Sequence, residues 1–227
     1  MKLNKSKGNM YEFVTFTGNV IKGKCPYDCT YCYCKKWGKQ SELHFDEKEL
    51  AKEMNYAGVG MAAETIFVGS SCDMWADDIP DEWIKRVLNH CSSYLATFLF
   101  QSKNPMRFIE LLELKEFTFP KYRMFCTTIE SNIDYPQISK APKIIERANA
   151  MKLLKERGEK VMVTIEPVLD FDVDLFSFLI DKINPDFLNI GADSGNNKLP
   201  EPSKEKLETL LSRFDFHQKK NLKRLLK

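Results

Sequence analysis

The sequence lacks a long hydrophobic run: nothing in its 227 residues approaches the roughly 20 consecutive apolar residues that a membrane-spanning helix requires. Its opening stretch, MKLNKSKGN, leads directly into a strand-like segment rather than into the apolar core of a secretory signal. We therefore expect a soluble, cytoplasmic protein with no membrane partner.

An excess of charge of one sign is also missing. The chain has 34 basic and 32 acidic residues, and a formal net charge of +2 is too small to indicate a nucleic-acid partner by itself. The one marked asymmetry is a basic C-terminal tail, residues 218–227, which we interpret as a solvated, frayed terminus rather than a contact for a polyanion. Its basic residues are Lys219, Lys220, Lys223, Arg224 and Lys227.

Linkers, low-complexity segments and internal sequence repeats are absent as well, so no point in the chain marks a boundary between domains. With 43% hydrophobic residues, a chain of this length can bury the core of one sizeable domain. We therefore predict a single domain over residues 1–227.

What the sequence does contain is an alternation of short apolar runs with longer segments of helical period, which is typical of βα units and a parallel sheet. Six βα units are too few for a closed eight-stranded barrel. The predicted fold class is therefore α/β, a partial (β/α)6 TIM-type barrel in which parallel strands form an open arc. The predicted strands are Phe13–Ile21, Thr65–Gly69, Thr97–Gln101, Tyr122–Thr127, Val161–Ile165 and Phe187–Ile190.

Helices are predicted between these strands from their start and stop signals. Gly158 is a plausible stop for one of them. The predicted helices are Glu47–Tyr56 after a cap at Asp46, a helix from Pro80 to about Cys91, one capped by Asn104 with Pro105 in its first turn, and then Lys143–Arg157, Asp174–Ile183 and Ser203–Arg213.

Polar side chains follow the predicted strands, and in a parallel α/β fold binding groups gather at the carboxyl ends of the strands. Some of these residues must be ordinary loop starts or helix caps, and Asp73 and Ser131 could be no more than that. Lys103, Glu130 and Glu166 indicate a site, because a long charged side chain at the end of an apolar strand needs a partner or water. The full set is Ser70, Ser71, Cys72, Asp73, Ser102, Lys103, Thr128, Glu130, Ser131, Glu166, Asp193 and Ser194.

Three of the seven cysteines, Cys25, Cys29 and Cys32, lie within eight residues of each other, directly after the first predicted strand. Clustered thiols in a reducing compartment bind metal more often than they form disulfides. Thiolates at the spacing C-x3-C-x2-C can hold three irons of a [4Fe–4S] cluster and leave the fourth iron open for a ligand. The pattern therefore predicts a cluster at the same face as the polar strand ends.

A tetrahedral zinc site is the structural alternative, because Cys34 could join the other three cysteines as a fourth thiolate. The short spacing is unusual for zinc sites, so Cys34 is interpreted as a bystander. Cys91 and Cys126 fall in a predicted helix and strand, where cysteine is usually a small buried residue.

The segment Cys25-x3-Cys29-x-Tyr31-Cys32 resembles the signature of the radical S-adenosylmethionine superfamily. Over nearly the whole chain, IFVGSSCDMWADDIPDEWI, FLFQSKNPMRF, MFCTTIES, TIEPVLDFDVD and DFLNIGADSG resemble a phage-associated family of that superfamily, distantly related to spore photoproduct lyase. The resemblance implies a partial (β/α)6 barrel and S-adenosylmethionine bound to the open iron. It also implies a 5′-deoxyadenosyl radical that abstracts hydrogen from a substrate, with a one-electron reductant of the flavodoxin or ferredoxin type as partner.

The same resemblance implies a cofactor pocket. In this pocket the Lys103 ammonium suits the methionyl carboxylate, and the hydroxyls of Ser70 and Ser71 can accept from the methionyl amine. Glu130 can accept hydrogen bonds from the ribose hydroxyls. The cofactor-binding residues that the resemblance implies are Tyr31, Ser70, Ser71, Lys103, Thr128, Glu130, Glu166 and Gly191, the last near the adenine.

The chain departs from the superfamily after its second strand, where Gly69-Ser70-Ser71-Cys72-Asp73 replaces a common Gly-Gly-Glu-Pro block. Spore photoproduct lyase has a hydrogen-donating cysteine in the corresponding turn, one or two positions earlier than Cys72. Cys72 is therefore either a hydrogen-atom donor or a small buried residue.

Three functions stay open at this point. The first is a radical enzyme that acts on a nucleic-acid base or nucleotide, as a lyase, isomerase or base-modifying enzyme. The second is a radical enzyme for a small metabolite or peptide. The third is a non-catalytic zinc or iron–sulfur binding module.

Overall fold

The computed structural model describes residues 1–8, 10–54 and 64–227. Its main feature is an eight-stranded sheet, and a two-stranded sheet lies beside it. The strands are β1 Leu3–Lys5, β2 Phe16–Gly18, β3 Ile21–Lys22, β4 His44–Phe45, β5 Thr65–Val68, β6 Thr97–Gln101, β7 Arg123–Thr128, β8 Val161–Ile165, β9 Phe187–Ile190 and β10 His217–Gln218. The α-helices are α1 Glu47–Leu50, α2 Asp81–Ser92, α3 Met106–Glu113, α4 Ile144–Glu156, α5 Val173–Ile183 and α6 Lys204–Arg213.

The large sheet has the order β1-β2-β5-β6-β7-β8-β9-β10. All neighbours from β2 to β10 pair in parallel, and β1 is antiparallel to β2 at one edge. From β5 onward a helix connects each strand to the next, so the described chain repeats the βα unit across the sheet. The predicted fold class is confirmed: this is an α/β fold with a mostly parallel, partial-barrel sheet.

The six predicted strands all occur, with one change of length. The predicted strand Phe13–Ile21 is too long, because the chain turns after Gly18 and Ile21–Lys22 pairs instead with His44–Phe45 in the small sheet. The sequence interpretation missed β1, β3, β4 and β10, since strands of two or three residues are too short to show an alternating pattern.

The predicted helices also occur, with changes at their starts. The helix α5 begins at Val173 rather than at Asp174, and Asp172 caps it by accepting a hydrogen bond from the Leu175 amide at 2.9 Å. Asn104 does not cap α3, because its amide donates to Asp77 Oδ1 at 2.8 Å. The predicted helix Glu47–Tyr56 is seen as Glu47–Leu50, and its last two positions lie outside the described residues.

Side chains alternate across the sheet, so each strand contributes to two apolar layers. Phe98, Phe100 and Phe125 belong to the layer that faces the helices, where Phe100 contacts Trp75, Phe98 and Phe125. The opposite layer, here called the inner floor, closes the concave side of the arc with Tyr11, Val14, Phe67, Leu99, Cys126 and Met162. Cys91 and Cys126 are fully buried, as predicted.

The interpretation of the C-terminal tail as frayed and solvated is wrong. Residues 217 and 218 form β10, which extends the parallel sheet next to β9, and a 3-10 helix follows over Lys220–Leu225. Leu222 is only 1% exposed, and Lys219 is buried with its Nζ 2.9 Å from Glu166 Oε2. The basic composition hid this packing, in which Leu222 is buried and Leu225 and Leu226 pack against the core beside it. None of the described helices is long and apolar enough to cross a membrane.

Replacing Leu222 with alanine should therefore lower the free energy of unfolding by about 2 to 5 kcal/mol, the usual loss for a buried leucine. Urea unfolding followed by circular dichroism measures this quantity. Leu95→Ala is the matched control, because Leu95 is 59% exposed and its loss should change stability by less than about 0.5 kcal/mol. Equal, small effects for the two variants would show a frayed C-terminus.

Candidate cofactor site at the carboxyl edge of the sheet

The candidate site lies where the parallel strands end. The loops after β5, β6, β7, β8 and β9 all leave the sheet at this edge, which we call the mouth of the arc. Residues 23–43, between β3 and β4, contain four of the cysteines and reach the same place; we call this segment the cysteine loop. Tyr33, on the cysteine loop, donates a hydrogen bond to the Ser70 carbonyl just past β5, and the Cys34 thiol is 3.4 Å from the Ser71 carbonyl. The cysteine loop therefore covers the mouth of the arc.

A buried carboxylate, Glu130, is the centre of the site. Its Oε1 accepts from Lys103 Nζ and from the Tyr31 hydroxyl, each at 2.5 Å, and its Oε2 accepts from Arg147 Nη1 at 2.8 Å. Glu130 is 3% exposed, Arg147 5% and Lys103 8%. The two cations therefore flank one anion in a region with almost no water.

This arrangement fixes the charge of the groups. Burial by itself would raise the pKa of Glu130, but the charges of Lys103 and Arg147 outweigh burial and hold the pKa at about 2. Burial likewise disfavours the charged form of Lys103, and the Glu130 carboxylate overcomes this and raises the Lys103 pKa. The site therefore carries a permanent carboxylate and a permanent ammonium at neutral pH.

Glu130, Lys103 and Tyr31 were predicted from the sequence as site residues, whereas Arg147 was not. The signal was present, because Arg147 lies on the buried stripe of α4 with Ile144, Ala148 and Met151. An arginine in such a stripe must have a buried acceptor. Its Nη1 also donates to the Thr128 carbonyl at 2.7 Å, so Arg147 joins α4 to the end of β7.

The three predicted ligands of the cluster lie on one loop, and all are free thiols. Cys29 Sγ is 3.3 Å from Lys103 Nζ and 3.1 Å from Ser139 Oγ. Cys25 is hydrogen-bonded to Cys72, which lowers the pKa of Cys25. The contact with Cys34 likewise lowers the pKa of Cys32, to about 6.

The structure thus gives each predicted ligand a different neighbour. Within residues 1–8, 10–54 and 64–227, no three Cys, His, Asp or Glu side chains are placed to hold one metal ion. The donor chemistry nevertheless fits a thiolate-bound metal centre, since soft thiolates are the ligands that iron–sulfur clusters and zinc prefer. The side chains of Cys25, Cys29 and Cys32 would have to rotate toward a common centre.

Ser70 and Ser71 are held in place by Asn19, a residue that the sequence analysis missed. Asn19 Oδ1 accepts from the Ser71 amide at 2.9 Å, and the Asn19 amide donates to Ser70 Oγ at 3.1 Å. Gly69 has a φ of +84°, and a Cβ there would lie 3.0 Å from the Met74 side chain. The turn therefore requires a glycine before the two serines and directs them toward the cysteine loop.

Asp73 and Ser131 form hydrogen bonds that hold the loops at the strand ends in place. Asp73 Oδ2 accepts from the Lys103 amide at 2.8 Å and Oδ1 from Ser102 Oγ at 2.9 Å, so it ties the loop after β5 to the loop after β6. Burial raises its pKa to about 6. Ser131 Oγ donates to the Asp170 carbonyl at 2.6 Å and accepts from the Ile133 amide.

The concave side above the inner floor is polar. Gln101 donates to Thr128 Oγ1 at 3.3 Å and accepts from the Tyr11 hydroxyl at 2.9 Å. Glu166 pairs with Lys219, and a Cβ on Gly191 would lie 3.1 Å from the Glu166 carboxylate carbon. Gly191 therefore makes room for Glu166, and Gln101 and Lys219 join this side although sequence reasoning did not select them.

Cys72 faces the cysteine loop. It is 3% exposed and hydrogen-bonded to Cys25, and this contact, with burial, raises the pKa of the Cys72 thiol. Both predicted roles, a small buried residue and a hydrogen-atom donor beside the cofactor, are compatible with this position.

Comparisons with known proteins give fold neighbours. No protein-family model and no curated protein matches the sequence. A spore photoproduct lyase mutant with dinucleoside spore photoproduct aligns with a TM-score of 0.61 at 14% identity, over 94% of this chain and 63% of the lyase chain. A second lyase mutant, with bound S-adenosylmethionine and the same dinucleoside, gives 0.59 at 13% identity, over 91% and 63%. SuiB of Streptococcus suis bound to S-adenosylmethionine gives 0.56 at 11% identity, over 89% and 50%.

These likenesses define the fold: the chain has the mixed α/β, mostly parallel partial barrel of enzymes that bind S-adenosylmethionine in their own structures. The chain spans less than two thirds of the lyase chains and half of SuiB. At 11–14% identity the neighbours show the fold alone.

The buried ion triad predicts a pH dependence of stability. A glutamate whose pKa falls from 4.5 to about 2 on folding stabilises the protein above pH 4.5, and this contribution is lost as the pH falls through that interval. The measurement is the free energy of unfolding in urea between about pH 6 and about pH 2. As the pH is lowered, this free energy should fall less steeply in Glu130→Gln than in the wild type. The exposed Glu113→Gln variant should retain the wild-type slope. An unchanged slope in Glu130→Gln would show that Glu130 is not ion-paired in the folded state.

Proposed function

We propose that the protein is a radical S-adenosylmethionine enzyme. One observation carries the proposal: a loop with three free cysteines, Cys25, Cys29 and Cys32, covers the carboxyl edge of the sheet beside the buried Lys103–Glu130 pair. The fold supports it, because solved structures with this fold bind S-adenosylmethionine. Three cysteines would hold three of the four irons of a [4Fe–4S] cluster, and the fourth iron would then be open to the cofactor.

In this proposal Cys25, Cys29 and Cys32 hold the cluster. A reduced cluster bound there would supply one electron for the cleavage of S-adenosylmethionine to methionine and a 5′-deoxyadenosyl radical. The protein's own groups bind and orient the cofactor. The Lys103 ammonium, now shared among Glu130, Tyr31 and Cys29, neutralises the methionyl carboxylate.

Other side chains complete the cofactor pocket. Ser70 and Ser71 accept hydrogen bonds from the methionyl amine, in positions that Asn19 fixes. Arg147 keeps Glu130 ionised and oriented, so that Glu130 can accept from ribose hydroxyls and Lys103 can turn to the carboxylate. Thr128 and Glu166 lie on the polar concave side, and Gly191, which packs directly against Glu166, is assigned to the neighbourhood of the adenine. A one-electron reductant of the flavodoxin or ferredoxin type is the partner that would reduce the cluster.

For the substrate we propose a nucleic-acid base or nucleotide. The support is that spore photoproduct lyase, with the same fold, is known with a dinucleoside photoproduct bound. A peptide or small metabolite is the alternative within the same chemistry, since SuiB is known bound to a precursor peptide.

A zinc-binding module is the alternative from another class of protein. The contact between Cys32 and Cys34 favours it, because Cys34 could serve as a fourth thiolate for zinc. Metal content separates the two functions directly.

The first test is the metal content of protein reconstituted anaerobically with iron and sulfide. The wild type should bind about four irons and four sulfides, with the broad visible absorption of a cluster, and Cys29→Ala should lose both. Cys34→Ala and Cys91→Ala are the matched controls and should keep the cluster, because neither is a proposed ligand. An intact cluster in Cys29→Ala, or zinc without iron in the wild type, would contradict the assignment.

The second test concerns Lys103. Lys103→Met keeps the aliphatic stem and removes the ammonium, so the dissociation constant for S-adenosylmethionine should rise about tenfold or more. Calorimetric titration of the reconstituted protein measures this dissociation constant. The yield of 5′-deoxyadenosine after reduction is a second, independent measurement. The iron content should match that of wild type. Lys115→Met, at the opposite edge of the sheet, is the control, and equal affinities for the two variants would remove Lys103 from the cofactor site.

A further inference from the structure

The charges of the chain are unevenly distributed, although its net charge is small. Residues 22–40 and 217–227 together contain ten of the 34 basic residues and one of the 32 acidic residues. The remainder of the chain therefore carries more acidic than basic residues. The two basic segments are far apart in sequence, yet both lie at the carboxyl edge of the sheet.

Ser194, in the loop after β9, brings the two segments together. Its carbonyl accepts from Lys36 Nζ at 3.3 Å, and its hydroxyl accepts from the Asn221 amide at 3.0 Å. Arg224 donates to the neighbouring Asp193 carbonyl at 3.1 Å. The cysteine loop and the C-terminal 3-10 helix therefore form one continuous surface beside the mouth of the arc.

The lysines of this surface are available for a ligand. Lys36 and Lys39 on the cysteine loop, and Lys220 and Lys223 on the C-terminal helix, are exposed, and no carboxylate among the described residues lies within ion-pair distance of them. Residues three apart in a 3-10 helix lie on the same face, so Lys220 and Lys223 point together. We call these four lysines, with Tyr33 and Trp37, the basic rim.

Two aromatic rings stand among these lysines. Tyr33 is 45% exposed and Trp37 68%, and their rings meet edge to face with centroids 5.4 Å apart. The edge-to-face contact leaves a face of the Trp37 indole uncovered. Lysines interleaved with exposed rings match the two features of a single-stranded nucleic acid, its phosphates and the faces of its unpaired bases.

From this geometry we propose that the basic rim binds single-stranded nucleic acid and presents it to the mouth of the arc. This proposal rests on the proposed function only for the reaction of the bound nucleic acid at the mouth of the arc. The binding itself requires no cluster. An acidic redox protein would also be attracted by the lysines, but its carboxylates make no use of an exposed indole face, so the rings favour a nucleic acid. A duplex hides its base faces and should bind less tightly.

The test is fluorescence anisotropy of labelled oligo(dT) and oligo(rU), roughly 20 nucleotides long, with the reconstituted full chain in about 50 to 200 mM KCl. Lys36→Glu/Lys39→Glu and Lys220→Glu/Lys223→Glu should each weaken binding tenfold or more. Each should also flatten the salt dependence, by about 0.7 in slope for every phosphate that a lysine no longer neutralises. Trp37→Ala should weaken binding about fivefold or more with little change in the salt slope, because stacking releases no counterions, and Trp37→Phe should restore most of it.

The matched control is Lys115→Glu/Lys121→Glu, which reverses two exposed lysines between α3 and β7 at the opposite edge of the sheet and should change affinity by less than about twofold. Comparable losses in the control, or no binding of either oligonucleotide by the wild type, would overturn the proposal. So would binding of a flavodoxin, without oligonucleotide binding, that depends on the rim lysines. A preference between the two oligonucleotides identifies DNA or RNA as the ligand.

The two proposals fail separately. Oligonucleotide binding by a protein that assembles no cluster would support the basic rim and overturn the radical enzyme. Cleavage of S-adenosylmethionine by a protein that binds no oligonucleotide would do the reverse.

Discussion

The site depends on one constraint, the matching of a buried negative charge by two buried positive charges. An unpaired carboxylate at this depth would be protonated or would destabilise the fold by several kcal/mol. Glu130 avoids both outcomes because Lys103 and Arg147 reach it from different elements, the loop after β6 and helix α4. The triad thus fixes the relative positions of β6, β7 and α4, and through Tyr31 it holds the cysteine loop over them.

The parallel sheet is what makes such a triad possible. Each βα unit brings its strand end to the same edge, so residues as distant in sequence as Tyr31 and Arg147 become neighbours without a special connection. The same rule places Lys219 against Glu166, once β10 extends the sheet beyond β9. The inner floor then closes the space beneath these groups with apolar side chains, so that the polar groups lie on one side only and face the mouth.

Much of this could be predicted from the sequence, and the failures have physical reasons. The strands from β5 to β9 were predicted because buried parallel strands are short, almost continuous apolar runs, and Lys103 and Glu130 were predicted because they follow such runs directly. Arg147 and Lys219 were missed because their significance depends on the carboxylates that they meet, which are 17 and 53 residues away in sequence. The C-terminal strand was missed because the basic composition of this segment gives only its average charge and does not show which of its leucines pack the following helix against the core.

The cysteine loop shows the limit of sequence spacing most directly. The spacing of Cys25, Cys29 and Cys32 predicts a class of metal centre, but spacing does not give the direction of each thiol, which depends on the side chains that it meets. In the structure the three thiols contact three different partners, Cys72, Lys103 and Cys34. The loop is also held at two further points: the Tyr31 hydroxyl donates to Glu130 on its inner side, and the Tyr33 hydroxyl donates to the Ser70 carbonyl just past β5 on its outer side. The two tyrosines therefore divide the loop into an inward part that meets the buried charges and an outward part that carries the exposed rings and lysines. Under the two proposals, a nucleic acid held on the outer part would therefore lie close to the cofactor held on the inner part.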